Sequence, residues 1–141
     1  MNMKNAIVLC SGGLDSVTTA FYVKKKLSYG HLKIIFFNYN QRNLKAERKY
    51  SRNTARALDA EFIEISLKYL GKISTSLLNS ERKHKNIKRK DLKNSSKESV
   101  KWYVPCRNTL FLIYAISLAE SLYIKNKNKT DIFVGFKCEG K

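Results

Sequence analysis

Ala6-Ile7-Val8-Leu9-Cys10-Ser11-Gly12-Gly13-Leu14-Asp15-Ser16 is the stretch on which the fold turns. Its first five residues form an unbroken apolar run with β-branched members, as expected of a strand covered on both faces. Ser11-Gly12-Gly13 ends that run at once, and residues 15–27 read as a helix. Val17, Ala20, Phe21 and Leu27 fall on one side of it, Lys24-Lys25-Lys26 complement its dipole, and Gly30 lies just past its end.

The pattern repeats outward. Residues 32–37 give a second buried strand, and residues 44–58 an amphipathic helix with Leu44, Ser51, Ala55 and Leu58 on one face. Lys45, Arg48, Lys49, Arg52 and Arg56 lie elsewhere on that helix and read as solvated surface. Residues 61–65 alternate and read as a third, less buried strand. Strand, helix, strand, helix, strand at these lengths means βαβ units with right-handed crossovers and a parallel sheet. Periodicity then fails, and residues 80–101, rich in Lys, Arg, Asn and Ser, read as an exposed, basic, flexible loop. Order returns at Trp102-Tyr103-Val104-Pro105. Residues 109–123 are apolar nearly all round, as expected of a helix packed between layers. Residues 131–135 supply a fourth strand. The expectation is an α/β protein, one domain over residues 1–141, with no internal repeat.

Composition sets limits. The 141 residues hold 28 Lys+Arg against 11 Asp+Glu, a formal net charge of +17, with 43% hydrophobic residues. An ordinary apolar share excludes collagen-like and wholly disordered classes. Lys supplies 21 of the 28 basic residues, whereas a nucleic-acid surface favours the forked donors of Arg, so nucleic acid is not the leading partner. Cys10, Cys106 and Cys138 are odd in number, far apart and without a C-x-x-C pair, so three reduced thiols are expected and no metal site. The N-terminal apolar run is too short for a signal peptide. The longest apolar stretch, residues 110–116, falls far below the roughly 18 residues of a membrane span. A cytoplasmic protein with no membrane contact is expected.

The chemistry centres on Ser11-Gly12-Gly13-Leu14-Asp15-Ser16 between the first strand and helix. Glycines let the backbone turn its N–H groups toward a phosphate, the helix start adds its positive dipole end, and Ser11 and Ser16 add hydroxyls. The lysine of G-x-x-x-x-G-K-[ST] is missing, and G-x-G-x-x-G does not fit either. Ser-Gly-Gly-x-Asp-Ser after an N-terminal strand resembles the signature of the PP-loop ATP pyrophosphatases. That resemblance implies a three-layer Rossmann-like (adenine nucleotide hydrolase-like) parallel sheet with helices on both faces. It also implies ATP held by Cys10, Ser11, Gly12, Gly13, Leu14, Asp15, Ser16 and Val17, with Asp15 tied to Mg2+ and pyrophosphate.

Further blocks narrow the resemblance. Phe37-Asn38-Tyr39-Asn40-Gln41-Arg42 is similar to the F-(D/N)-Y-G-Q-(R/K) block of 7-cyano-7-deazaguanine synthases, the QueC-type enzymes of queuosine biosynthesis. Tyr103-Val104-Pro105-Cys106-Arg107-Asn108-Thr109 resembles their Y-V-P-(A/G)-R-N-T block. Val134-Gly135-Phe136-Lys137-Cys138-Glu139-Gly140 resembles V-G-(F/V/A)-N-A-E less closely. The resemblance implies catalytic roles for Asp15, Arg107 and Asn108, and a place for Tyr39, Gln41 and Arg42 on the substrate or ATP side. Other readings stay open: Arg42 as surface charge, Arg107-Asn108 as a helix cap, Tyr39 as a packed aromatic. Asn40 stands where Gly is usual but tolerates positive φ, Cys106 replaces Ala or Gly, and Lys137 replaces Asn.

The reaction implied joins a 7-deazaguanine carboxylate and ammonia, with ATP, into the nitrile through an adenylated intermediate. The family's four-cysteine zinc segment has no counterpart in this sequence, so the chain resembles an N-terminal part. A homodimer, or a partner supplying the C-terminal part, is compatible with that. Two alternatives remain: another PP-loop tRNA-modifying adenylase, or an inactive ATP-binding remnant or half of a split protein.

Overall fold

The computed structural model describes residues 3–79 and 103–136. The expected loop at 80–101, Lys137 and Cys138 lie outside the described residues. Four strands, β1 (Asn5–Leu9), β2 (His31–Asn38), β3 (Glu61–Ser66) and β4 (Thr130–Val134), form one sheet in the order β3-β2-β1-β4, every pair parallel. Among the described residues, four helices connect or flank them: α1 (Leu14–Lys25), α2 (Leu44–Ala57), α3 (Lys68–Ile73) and α4 (Arg107–Asn126). Helix α3 had no signal in the sequence.

β1 is central, which is why its apolar run is unbroken. It pairs with β2 from Asn5↔His31 to Leu9↔Ile35 and with β4 from Asn5↔Thr130 to Leu9↔Val134. Its alternate residues feed two cores. Ala6, Val8 and Cys10, with Leu32 and Ile34, pack under Ala20 and Val23 of α1 and Ala55 of α2. Ile7 and Leu9, with Ile35 and Phe37, pack under Leu70 of α3 and Ala115 of α4. Helices cover both faces, so the protein is a three-layer α/β sandwich of the Rossmann-like kind.

Three expectations need correction. On α1 the buried side chains are Ser16, Ala20 and Val23, while Phe21 and Leu27 are 38% and 37% exposed. Small Ala20 lets the helix approach β1 closely. The helix closes with the Lys26 and Leu27 N–H groups both on the Tyr22 carbonyl, so Leu27 falls beyond the last turn. The basic stripe of α2 is only partly solvated. Arg48 forks onto Glu64 of β3 (Nε to Oε2 2.9 Å, Nη2 to Oε1 2.7 Å), and Arg52 reaches the same carboxylate at 3.5 Å and covers the Phe62 ring. Two-point ion pairs of this kind fix an edge strand better than single charges.

Helix α4 is the third. Only Ala115 is fully buried, with Leu110, Phe111, Leu118 and Ala119 packed against the sheet, whereas Ile113, Tyr114, Ile116, Tyr123 and Ile124 are exposed. Among the described residues, the helix is covered on one side, not between layers. Among the described residues, no helix is long and apolar enough to cross a membrane.

Candidate functional site

The turn after β1 is built by packing as much as by glycine freedom. The Cys10 N–H continues the ladder to the Ile35 carbonyl (2.9 Å), and the Cys10 carbonyl accepts from Ser51 Oγ of α2 (3.0 Å). Gly12 adopts φ +80°, and a Cβ there would stand 2.6 Å from the Glu47 carbonyl oxygen and 2.9 Å from Tyr50 Cβ. Helix α2 therefore closes on the turn and admits only glycine. Gly13 is different. It is extended, and a Cβ would meet only Ser11 Oγ, at 3.6 Å. It precedes α1 as the N-cap with no side-chain cap, leaving first-turn N–H groups for an anion. Ser16 Oγ donates to the Gly13 carbonyl (2.9 Å) and lies 3.4 Å from Ser11 Oγ, so two hydroxyls gather under the helix start.

A cavity of about 280 Å³ opens beside this turn, at the C-terminal ends of β1, β2 and β4. Cys10, Ser11 and Ser16 form one wall, and Tyr39 and Gln41, just past β2, another. Arg107 and Asn108 at the start of α4 close it from across. This is where open α/β sheets hold ligands. Its apolar floor is the Phe37–Phe111 stack, with ring centroids 4.0 Å apart and planes 2° apart. Gly135 and Phe136, just past β4, complete it.

Arg107, the first residue of α4, is held in place. Its Nη1 donates to the Tyr39 hydroxyl (3.3 Å), its Nε to Asn108 Oδ1 (3.2 Å), and its guanidinium lies 5.9 Å from the Tyr39 ring centre. Cys106 before it takes φ +53° and makes no side-chain cap. Tyr39 is both a packed aromatic, tilted against Phe111, and a polar contact of Arg107. Burial pushes its phenol above the ordinary range; the Arg107 charge pulls it back, and Glu47 adds to the rise.

Gln41 has a different occupation. Its Nε2 donates to the Phe37 carbonyl (2.9 Å) and Glu47 Oε2 (3.0 Å), and its Oε1 accepts the Tyr39 N–H (3.0 Å). The side chain braces the turn after β2, where Asn40 takes φ +58° as its residue type permits. The Tyr39 carbonyl in turn accepts from Asn79 Nδ2 (2.8 Å).

The structure does not bring every expected residue to the cavity. Gly12, Leu14 and Val17 border a shallower hollow between α1 and α2, with Leu14 82% exposed. Gly13 and Asp15 are exposed beside the cavity's first wall without lining it. Arg42 is exposed, and its backbone N–H is held by the Leu78 carbonyl (2.7 Å). Glu47 and Phe111 line the cavity and were missed. An acidic residue in the first turn of α2 marks a helix start and does not by itself place Glu47 at the cavity. Among the described residues, no three His, Cys, Asp or Glu gather to hold a metal ion. The cavity's oxygen donors, the Glu47 carboxylate with the hydroxyls of Ser11, Ser16 and Tyr39 and the amides of Gln41 and Asn108, suit a hard cation shared with phosphates rather than zinc.

Comparison with known proteins adds lineage to geometry. The family described as queuosine biosynthesis protein QueC matches residues 5–139. The 7-cyano-7-deazaguanine synthase of Methanoculleus marisnigri is 39% identical over 120 residues, 84% of this chain and 51% of that protein. The synthase of Thermoplasma acidophilum is 36% identical over 138 residues, 96% of this chain and 52% of that protein. That of Syntrophus aciditrophicus is 38% identical over 135 residues, with 94% and 53% covered. The chain spans about half the length of these curated relatives.

Proposed function

The chain belongs to the QueC family of queuosine biosynthesis proteins, and from that premise we propose that it is the ATP-binding part of a 7-cyano-7-deazaguanine synthase. The observation that carries this is the single cavity shared by Ser11 and Ser16, Tyr39, and Arg107-Asn108. The pyrophosphate of ATP sits on the turn after β1 and the uncapped start of α1. Arg107, fixed by Tyr39 and Asn108, neutralises charge that develops on the phosphates. The carboxylate of a 7-deazaguanine acid attacks the α-phosphorus, releasing pyrophosphate and leaving an acyl-adenylate. Ammonia displaces AMP to give the amide. A second ATP activates the amide oxygen, and loss of AMP leaves the nitrile. Activation is required because a free carboxylate has no adequate leaving group. The chain's share is orientation and charge neutralisation. Mg2+ accompanying ATP supplies further neutralisation, and Asp15, in the first turn of α1, is the carboxylate that the sequence motif offers it.

The exposed apolar side of α4 favours a second half that packs there, supplied by the same polypeptide or by a partner.

The test is direct. The chain is incubated with ATP, Mg2+, ammonium and 7-carboxy-7-deazaguanine, and AMP, pyrophosphate and nitrile are sought by mass spectrometry. ATP binding with turnover supports the full reading. Binding without turnover assigns the chain to a nucleotide-binding half. No binding, with Asp15→Ala and Arg107→Ala indistinguishable from the parent, overturns the proposal.

A further inference from the structure

We infer that Glu47 is the principal carboxylate through which this cavity holds the divalent cation of a bound nucleoside triphosphate, with Asp15 secondary to it. This rests on the reading of the cavity as an ATP site and names a residue that no motif of the sequence singled out.

Glu47 is the one acidic side chain among the described residues that line the cavity; Asp15 does not line it. It stands in the first turn of α2, half-buried, and its own carbonyl oxygen abuts the turn at Gly12. The residue thus sits against the loop expected to carry pyrophosphate. One of its oxygens, Oε2, accepts from Gln41 Nε2 at 3.0 Å, which fixes the carboxylate's position. No Lys or Arg lies within ion-pair distance of it among the described residues, whereas Glu61 and Glu64 have such partners.

An unpaired, half-buried carboxylate beside a triphosphate is a liability by itself. Like charges in a partly desolvated site repel more strongly than in water. Arg107 is the one Lys or Arg among the described residues lining the cavity, and it lies in the α4 wall. A divalent cation between phosphate oxygens and Glu47 turns the repulsion into attraction. Mg2+ is commonly held by one or two carboxylates together with the phosphates of its nucleotide. The hydroxyls of Ser11 and Ser16 offer neutral oxygens in the same wall.

The test measures affinity, not turnover. Calorimetry gives the dissociation constant of ATP with Mg2+ and with excess EDTA for the parent, Glu47→Gln and Asp15→Asn. Glu47→Gln keeps an oxygen to accept from Gln41 and so preserves the brace while removing the charge. The parent is expected to bind at least about tenfold more tightly with Mg2+. Glu47→Gln is expected to lose that gain, to within about twofold, with binding in EDTA unchanged or tighter as the like charge disappears. Asp15→Asn is expected to keep part of the gain. Equal weakening of Glu47→Gln with and without Mg2+ would leave Glu47 as a brace only and overturn the inference. So would an unchanged Mg2+ gain in Glu47→Gln, or a parent that binds ATP no better with Mg2+. If Glu47→Gln melts below the assay temperature, the same ratio is read on Glu47→Asp, which retains the charge but shortens its reach and should show a reduced gain; an undiminished gain counts against the inference. A parent that binds no ATP under either condition overturns the nucleotide reading itself, a result distinct from binding that merely ignores Glu47.

Discussion

Gly12 and Gly13 are neighbours in one motif, yet replacing each by alanine should fail in opposite ways. At Gly12 the backbone is left-handed, φ +80°, which costs an L-residue about 1–2 kcal/mol. The added Cβ would also stand 2.6 Å from the Glu47 carbonyl oxygen and 2.9 Å from Tyr50 Cβ, both on α2. Helix α2 cannot retreat without straining Ser51, whose hydroxyl holds the Cys10 carbonyl. Overpacking of that kind costs roughly 1–3 kcal/mol, so Gly12→Ala should lose about 2–5 kcal/mol. For a domain of this size that is a fall in Tm of about 10 °C. At Gly13, φ −77° and ψ 162° suit any residue, and the nearest atom to a Cβ is 3.6 Å away. Gly13→Ala should change stability by less than about 1 kcal/mol, because the freedom lost by the unfolded chain offsets alanine's poorer fit as an N-cap. Its methyl group would nevertheless crowd an anion on the start of α1, and ATP affinity should drop about tenfold or more. Urea unfolding followed by circular dichroism, with calorimetric ATP titration of the folded variants, separates the two effects. Equal stability losses at both positions, or a Gly13→Ala protein that binds ATP like the parent, would refute the division of labour.

Other perturbations test separate contacts. Cys106 holds φ +53° at the start of α4; Cys106→Gly should raise the unfolding free energy by about 1 kcal/mol in urea titrations. Arg107→Lys removes the fork that meets both Tyr39 and Asn108, and should weaken ATP binding almost as much as Arg107→Ala, with Tm little changed. The hydrogen bonds from Arg48, with its charge, hold the Glu64 carboxyl below its ordinary range despite some desolvation. A lowered folded-state value means stability that is full above the unfolded-state value and is lost as pH falls through the folded one. Glu64→Gln should therefore flatten the decline in stability below about pH 5, read by urea unfolding at a series of pH values.

The layers were legible because burial on two faces leaves an unmistakable mark. The runs ending at Cys10 and Phe37 are apolar without alternation, and both belong to central strands. That the chain turns sharply after β1 was equally legible, since Gly12 takes the left-handed φ glycine allows and Ser16 Oγ folds back on the Gly13 carbonyl. What sequence concealed was direction. Phe21 and Leu27 match the helical period of α1 but lie past the contact that Ala20 makes, and periodicity cannot tell which small residue sets the approach. Gln41 is put on the ligand side by the resemblance of its block, yet its amide is consumed by Phe37, Tyr39 and Glu47. Glu47 was overlooked because its relation to the cavity depends on α2 folding back over Gly12, a tertiary fact.

The middle strand's two partners arrive at very different times. β2 follows β1 within one crossover, whereas Thr130 of β4 must find Asn5 across a far longer stretch of chain. Until then one edge of β1 stays bare, so productive folding waits on the slowest loop to close. Ribosome-bound chains released before that pairing would be prone to aggregate through the open edge. Because Val134 and Gly135 border the cavity, a ligand held there should act as a late latch, favouring the finished sheet over its unsealed precursor.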